Sequence, residues 1–505
     1  MKKTGKALLA ALFVYLVLVL LLLAAERGRP DATIRSFGDA LWYSVVTMTT
    51  VGYGDLTPIT HVGRALGVLF ALCSVGILAA LIALLLRLIR GELLPILRLR
   101  FNREKTWYVF SEANEESCTL AKALLREQDA LAIFPSAAGE AAPAGAVCLT
   151  TDRDRLQRLH AGRDGIVLFC LDSDPWLNRS RAMAPAGEGY PVYCMAEPPA
   201  DATLEEIHFF SLPEAVARQY WQKLPLREEE NCLVFIGEGK TAEALLSQAL
   251  LTNVYPAGRR IRYHCFGLGE HYALVHRELV NALAEEKSGD CLVLHSGSFA
   301  AERELLSRAD RVILCDERDS ENLRVYEELR SYFVLSGELH LRLRTPQEGL
   351  CSFGSLSETL RPEAVLREEL NRRAMLLHEL YSRGAAQKRD WRELGPYLRA
   401  SNIAAADHID TKLRILLGEK ASEREDRFQL ACERFEKTQG EERERLRETE
   451  HRRWLRFCLF YNWRFAPQRD DAQRLHPNLL PYDKLSEEDR RKDDYAWQLL
   501  GFLTE

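Results

Sequence analysis

The sequence predicts a multidomain chain: a two-span α-helical module, two parallel α/β domains in tandem, and a small all-α domain at the end. Three observations predict it. Residues 7–25 and 65–86 are long apolar runs without a charge. Over residues 104–375, apolar runs of strand length alternate with amphipathic helical patterns, and that alternation occurs twice. Residues 376–505 carry charged helical sequence and then closely spaced aromatic residues. At 505 residues the chain is too long for one domain. Its formal net charge of −6 is mild and gives no reason to expect nucleic acid as a partner.

A helix needs about 20 apolar residues to cross the hydrocarbon core of a bilayer, and both runs reach that length. The first exceeds the roughly 7–15 residues of a signal-peptide core. No small-x-small cleavage site follows it, since Ala24-Ala25 runs straight into Glu26-Arg27. It reads as a retained anchor, so a lipid bilayer is an expected partner. Lys2, Lys3 and Lys6 precede the first span, and Arg87, Arg90, Arg98, Arg100 and Arg103 follow the second. The positive-inside rule then expects both termini in the cytoplasm, with residues 26–64 facing out of the cell membrane. The 12 cysteines contain no C-x-x-C pair, and nearly all follow the second span. They read as small buried hydrophobes rather than disulfide or zinc partners.

Between the spans, residues 37–48 read FGDALWYSVVTM, about three helical turns. At 1.5 Å per residue these cover about 18 Å, too short to cross. Irregular backbone follows, and at membrane depth it is tolerated only where it is shielded or lines a watery path. The order is span (7–25), half-helix (37–48), loop (50–55) and span (65–89) within a module of residues 1–100. This resembles the pore of potassium channels. Thr50, Val51, Gly52, Tyr53, Gly54 and Asp55 match the family's selectivity filter residue for residue. The bland alternative, a surface turn, leaves the flanking spans without a purpose.

The resemblance implies K+ ions held by the carbonyls of Thr50, Val51, Gly52 and Tyr53 and by the Thr50 hydroxyl. Gly52 and Gly54 are the residues that take left-handed dihedrals without steric cost. The half-helix can direct the negative end of its dipole toward the pore. One loop supplies a quarter of the ring, so a homotetramer is implied. It also implies that Trp42 supports the filter by hydrogen-bonding Asp55. Val46 stands where many relatives carry a glutamate. Ser74 stands where relatives often carry a hinge glycine, which leaves Gly76 as the candidate gating hinge.

After residue 103 the apolar runs 106–110, 130–134, 146–149, 166–171 and 191–195 read as buried parallel strands. Runs 232–236, 261–266, 291–295, 312–315 and 339–343 repeat the pattern. Two Rossmann-like domains, 104–226 and 227–375, behind a pore resemble the RCK domains that regulate potassium conductance. In the second, Gly237, Gly239, Lys240 and Ala242 form a G-x-G-x-x-A turn between strand and helix, a candidate nucleotide-binding loop. No acid ends the next strand, where Cys265-Phe266-Gly267 stands, so a purely structural turn is the competing reading. The equivalent turn of the first domain has no glycine and three carboxylates, Glu112, Glu115 and Glu116, which repel phosphate. That domain reads as structural. The acidic turns at residues 172–174 and 316–321 have the carboxylates to bind Ca2+, though helix capping explains them equally well.

A helical connector (376–440) leads to residues 441–505. There Glu450-His451-Arg452-Arg453-Trp454, the block from Phe460 to Asp470 and the block from His476 to Leu485 resemble the RyR domain. Asn462 and Ala466 replace its usual glycines, and Phe465 its usual tyrosine. Arg453, Trp454, Trp463, Arg464 and Tyr482 are the candidate ligand residues, because aromatic faces beside guanidinium groups suit a planar anion. The same residues read equally well as core tryptophans and a solvated basic face. Together the resemblances imply a tetrameric potassium-selective channel gated by a cytoplasmic ligand of nucleotide type, and not an enzyme. Two alternatives stay open: a membrane-anchored nucleotide-processing enzyme, and a normally closed stress or defence channel triggered by a nucleotide signal. No nucleophile–base–orienter constellation favours the enzyme.

Overall fold

The computed structural model describes residues 2–88, 93–149, 165–183, 189–199, 207–284, 289–383 and 389–503, together with 156, 159 and 160. Side chains at 2–12, 73–81, 84, 87 and 88 lie outside the description. The chain forms two compact units, Met1–Phe101 and Asn102–Glu505.

In the first unit the expected spans fall on helices Lys2–Glu26 and His61–Leu88, with the short helix Phe37–Met48 between them. No helix among the described residues is long and apolar enough to cross a membrane. Much of both expected spans belongs to the side chains outside the description. The short helix is started by a reciprocal cap: Ser36 accepts from the Asp39 N–H, and Asp39 from the Ser36 N–H. Val19, Leu22, Ile34, Ala40 and Phe70 form the core. Glu26 is fully buried, and its carboxylate accepts from the N–H groups of Ile59 and Thr60 and from the Thr60 hydroxyl. That fastens the end of the first helix to the segment entering the third.

The second unit holds two six-stranded sheets. The first contains β1 (Thr106–Phe110), β2 (Ala130–Pro135), β3 (Val147–Leu149), β4 (Ile166–Cys170), β5 (Val192–Met195) and β6 (Ile207–Phe210). The second contains β7 (Cys232–Ile236), β8 (Arg262–Phe266), β9 (Cys291–His295), β10 (Arg311–Leu314), β11 (Glu338–Arg342) and β12 (Ser352–Phe353). Their orders are β3-β2-β1-β4-β5-β6 and β12-β11-β10-β7-β8-β9, with every pairing parallel. Each is the doubly wound Rossmann order 3-2-1-4-5-6. All ten expected strands are present, and β6 and β12 complete each sheet.

The repeat extends to its bracing. Asp172 donates its N–H to Asn178, whose amide nitrogen donates to the carbonyls of Asp172 and of Met195 in β5. Asp316, Asn322 and Arg342 in β11 make the same three bonds. The two lobes interlock. Leu356, Leu360 and Val365, which follow the second sheet, complete the core of the first. Arg344 of the second lobe pairs with Glu115 and Glu116 of the first.

Helices Arg372–Ser382, Pro396–Asp407, Ile409–Leu417, Arg427–Lys437 and Gly440–Phe460 share one core with Trp497, Leu499 and Leu503. The C-terminal region is helical as expected, with one departure. Arg464–Phe465 (β13) and Leu475–His476 (β14) pair as two-residue strands, too short to leave a period in the sequence. Two buried ion pairs dock this helical region, Arg456 with Asp290 of the second lobe at 2.7 Å, and Asp407 with Arg218 of helix Leu212–Lys223 at 2.7 Å.

Candidate functional site

The loop after helix Phe37–Met48 has left-handed backbone at every second residue: Thr50 (φ 59°), Gly52 (φ 60°) and Gly54 (φ 75°). Such alternation lets successive carbonyls face one side and line a path for a cation. Glycine adopts it freely, but a β-branched threonine gives up about 1–2 kcal/mol. The left-handed Thr50 is invisible in the sequence, because its residue type argues against it. The N–H groups of Val51 and Gly52 donate to the Val46 carbonyl at 3.1 and 3.3 Å, which ties the loop to the helix end. Trp42 donates its indole N–H to Asp55 at 2.9 Å and stacks parallel to Tyr53, with ring centroids 6.1 Å apart. Val51 and Tyr53 are 52% and 67% exposed. Gly76 lies within helix His61–Leu88, and its surroundings fall outside the described residues.

Residues 7–91 match the family model described as an ion channel. They carry an ion-channel domain. A voltage-gated potassium channel of Aeropyrum pernix is 46% identical over 57 residues, 11% of this chain and 19% of that one. Potassium voltage-gated channel subfamily A member 4 of Homo sapiens is 51% identical over 51 residues, 10% and 8% of the two chains. The calcium-gated potassium channel TvoK of Thermoplasma volcanium is 32% identical over 78 residues, 15% and 22%. The chain therefore spans less than a quarter of the length of these relatives. Solved structures of GsuK bound to ADP and to NAD overlay at TM-scores of 0.35 and 0.33, with 14% and 13% identity. They cover 72% and 75% of this chain and 99% and 86% of their own, a likeness too loose to argue from.

Beyond the ion-channel domain, the turn of residues 237–242 sits where β7 meets helix Lys240–Thr252, at the switch point between β7 and β10. A Cβ on Gly237 would lie 2.4 Å from the Asp316 nitrogen, so only glycine permits this approach. The anion position at the helix start is already filled. Glu317 accepts from the Thr241 N–H at 2.7 Å and from its hydroxyl at 3.1 Å. A carboxylate of the chain thus stands where a phosphate would sit. Lys240 turns to Glu243 at 2.8 Å, which raises its ammonium above the usual range, and Ala242 is buried in the core. Beside the turn, a cavity of about 800 Å³ opens at the carboxyl ends of β7 to β10. On its β8–β9 side, His264 and His295 approach to 3.0 Å, and burial pushes His264 down to about 4.

Of the five C-terminal candidates, Arg453 and Trp463 are buried and Arg464 is exposed. Arg453 is buried against Glu450 at 2.7 Å, and Glu450 also meets Lys412 at 2.8 Å. Trp463 is buried and stacks on Tyr397. Trp454 meets His476 edge-on at 5.0 Å. The Tyr482 hydroxyl donates to Glu444, and Arg490 covers its ring. Arg464 is exposed on β13. His451 and His476 link Tyr482, Trp454 and Trp463 into a chain of rings.

The acidic turns spend their carboxylates on their own backbone. Asp172 accepts from the Asp174 N–H, and Asp316 from the Arg318 N–H. Arg181 bridges Asp172 and Glu112. No cluster among the described residues has the donors to hold a metal ion.

Proposed function

We propose that four copies of this chain form a potassium-selective channel in a cell membrane, gated by a cytoplasmic ligand of nucleotide type. In this reading residues 1–100 form the pore and 104–226 and 227–375 are the regulatory Rossmann-like domains. Residues 376–440 connect them to an RyR-type domain at 441–505. The observation that carries the proposal is the alternating backbone of Thr50, Gly52 and Gly54, braced by the Trp42–Asp55 bond. One such loop offers a cation a single strip of carbonyls. Four of them close a cage of oxygens able to replace a hydration shell. The exposure of Val51 and Tyr53 on one chain supports a site completed by neighbours. The cytoplasmic unit acts by binding: a ligand with different affinity for two of its arrangements shifts the pore between open and closed.

The test is ion uptake by vesicles containing the purified chain, with sodium as the comparison ion. Potassium uptake that exceeds sodium uptake and disappears in Gly52→Ala is the expected result. Equal uptake of both ions by a well-folded oligomer would overturn the proposal. A silent wild type is rechecked with nucleotide inside the vesicles, and silence there too counts against it.

A further inference from the structure

The second sheet has a cavity at each end. One is the crevice at the strand carboxyl ends. The other, of about 880 Å³, lies at the amino ends, where the segments entering β7, β8 and β9 meet helices Ile409–Leu417 and Gly440–Phe460. Five guanidinium groups line it: Arg259, Arg260 and Arg262 from the lobe, Arg414 and Arg445 from the helices. Three carboxylates share the wall, Glu228, Glu419 and Glu442, and Glu419 lies 4.0 Å from Arg414 on that same wall. Glu419 accepts from the Glu228 N–H at 2.8 Å, and Glu442 pairs with Arg434 at 3.3 Å.

Arg259 is fixed in place. It donates to the carbonyls of Arg227 and Glu230 and lies 3.9 Å over the Tyr255 ring. Arg414 comes no closer than 3.9 Å to a carboxylate. Arg260, Arg262 and Arg445 have no side-chain hydrogen bond or ion pair among the described residues. Five cations share this cavity with three carboxylates, and Arg260, Arg262 and Arg445 pair with none of them. Phosphate suits these guanidinium groups, since each can grip two of its oxygens. Leu226, Ile415 and Leu446 supply an apolar wall beside these charges. The cavity is large enough for a drug-sized ligand.

The geometry points to a binding site here for a small polyanion with two or more linked phosphates, such as a nucleoside triphosphate or a free polyphosphate chain. It places the ligand of the proposed function away from the Gly237 turn, which Glu317 already fills, and only its gating consequence rests on that function. Arg260 and Arg262 belong to the second lobe and Arg445 to the helical region. A polyanion spanning them would join the two, and a ligand that holds two elements together favours the arrangement in which they are together.

The test is calorimetric titration of the full chain in lipid nanodiscs with ATP, tripolyphosphate and orthophosphate. ATP and tripolyphosphate are expected to bind, with orthophosphate at least about tenfold weaker. ATP tighter than tripolyphosphate assigns the apolar wall to the nucleoside, and equal affinity makes the phosphate chain the whole ligand; both support the site. Arg260→Ala and Arg445→Ala are each expected to weaken binding about tenfold or more. Arg308→Ala, whose partner Glu304 lies on its own helix, should leave binding unchanged. Because Arg260 and Arg445 have no side-chain partner among the described residues, their variants should melt no lower than wild type without ligand. No binding by the folded chain, or binding unchanged in both variants, overturns the inference. Binding without ion flux would sink the pore and keep the site; flux without binding would do the reverse.

Discussion

Asp493 carries a proton where aspartate ordinarily has none. Burial, with the Glu450 charge added, pushes its carboxyl up to about 8. His451 stands 3.9 Å away and gives it no charge to pair with, because burial holds the imidazole below its usual range. An unfolded aspartate ionises near 3.8. From about pH 4 to about pH 8 the unfolded chain releases a proton that the folded chain keeps, so this group's stabilising contribution shrinks as pH rises through that window. Asp493→Asn keeps the shape and removes the titration. Its melting temperature should exceed that of wild type by a margin that grows from pH 5 to pH 8. A margin constant across that range would show that Asp493 titrates normally. Arg453, beside this cluster, illustrates a limit of reading residue types. Adjacent to Trp454 in sequence, it suggests a ligand site, while its charge is spent inside the helical core on Glu450.

Among the elements, helix Lys240–Thr252 shows what was legible and what was not. Its start was plain from glycines placed between an apolar run and a helical period. Its cap was not, because Glu317 arrives from the far side of the switch point, 76 residues beyond Thr241. A contact at that separation leaves no local period. Glu317→Ala should raise hydrogen exchange at the first amides of this helix about fivefold, the equivalent of losing a cap worth about 1 kcal/mol. Unchanged exchange would mean that water satisfies those amides equally well. The ten expected strands were legible because parallel strands buried on both faces read as continuous apolar runs. The ends of the sheets were harder to see. β6 (Ile-His-Phe-Phe) carries a histidine within a half-buried run, and β12 is only two residues long. The paired Asn178 and Asn322, each six residues after its aspartate, gain a meaning only in the fold, where each braces the next strand.

Over the whole molecule, legibility follows how function is written along the chain. The loop proposed as the filter occupies six consecutive residues, and its chemistry can be read directly. The anion cavity draws on residues from 226 to 446 and had to wait for the fold. The same difference separates the tasks proposed for the two units. A pore needs a repeated oxygen geometry that one short loop can encode. A ligand sensor needs groups on separate elements whose spacing changes between states. The central claim, that this loop selects potassium, is tested most directly by the reversal potential of the purified chain in a planar bilayer, with potassium on one side and sodium on the other. A reversal potential displaced far toward the potassium equilibrium value is the expected result. One near zero, from a conducting and well-folded oligomer, would contradict it.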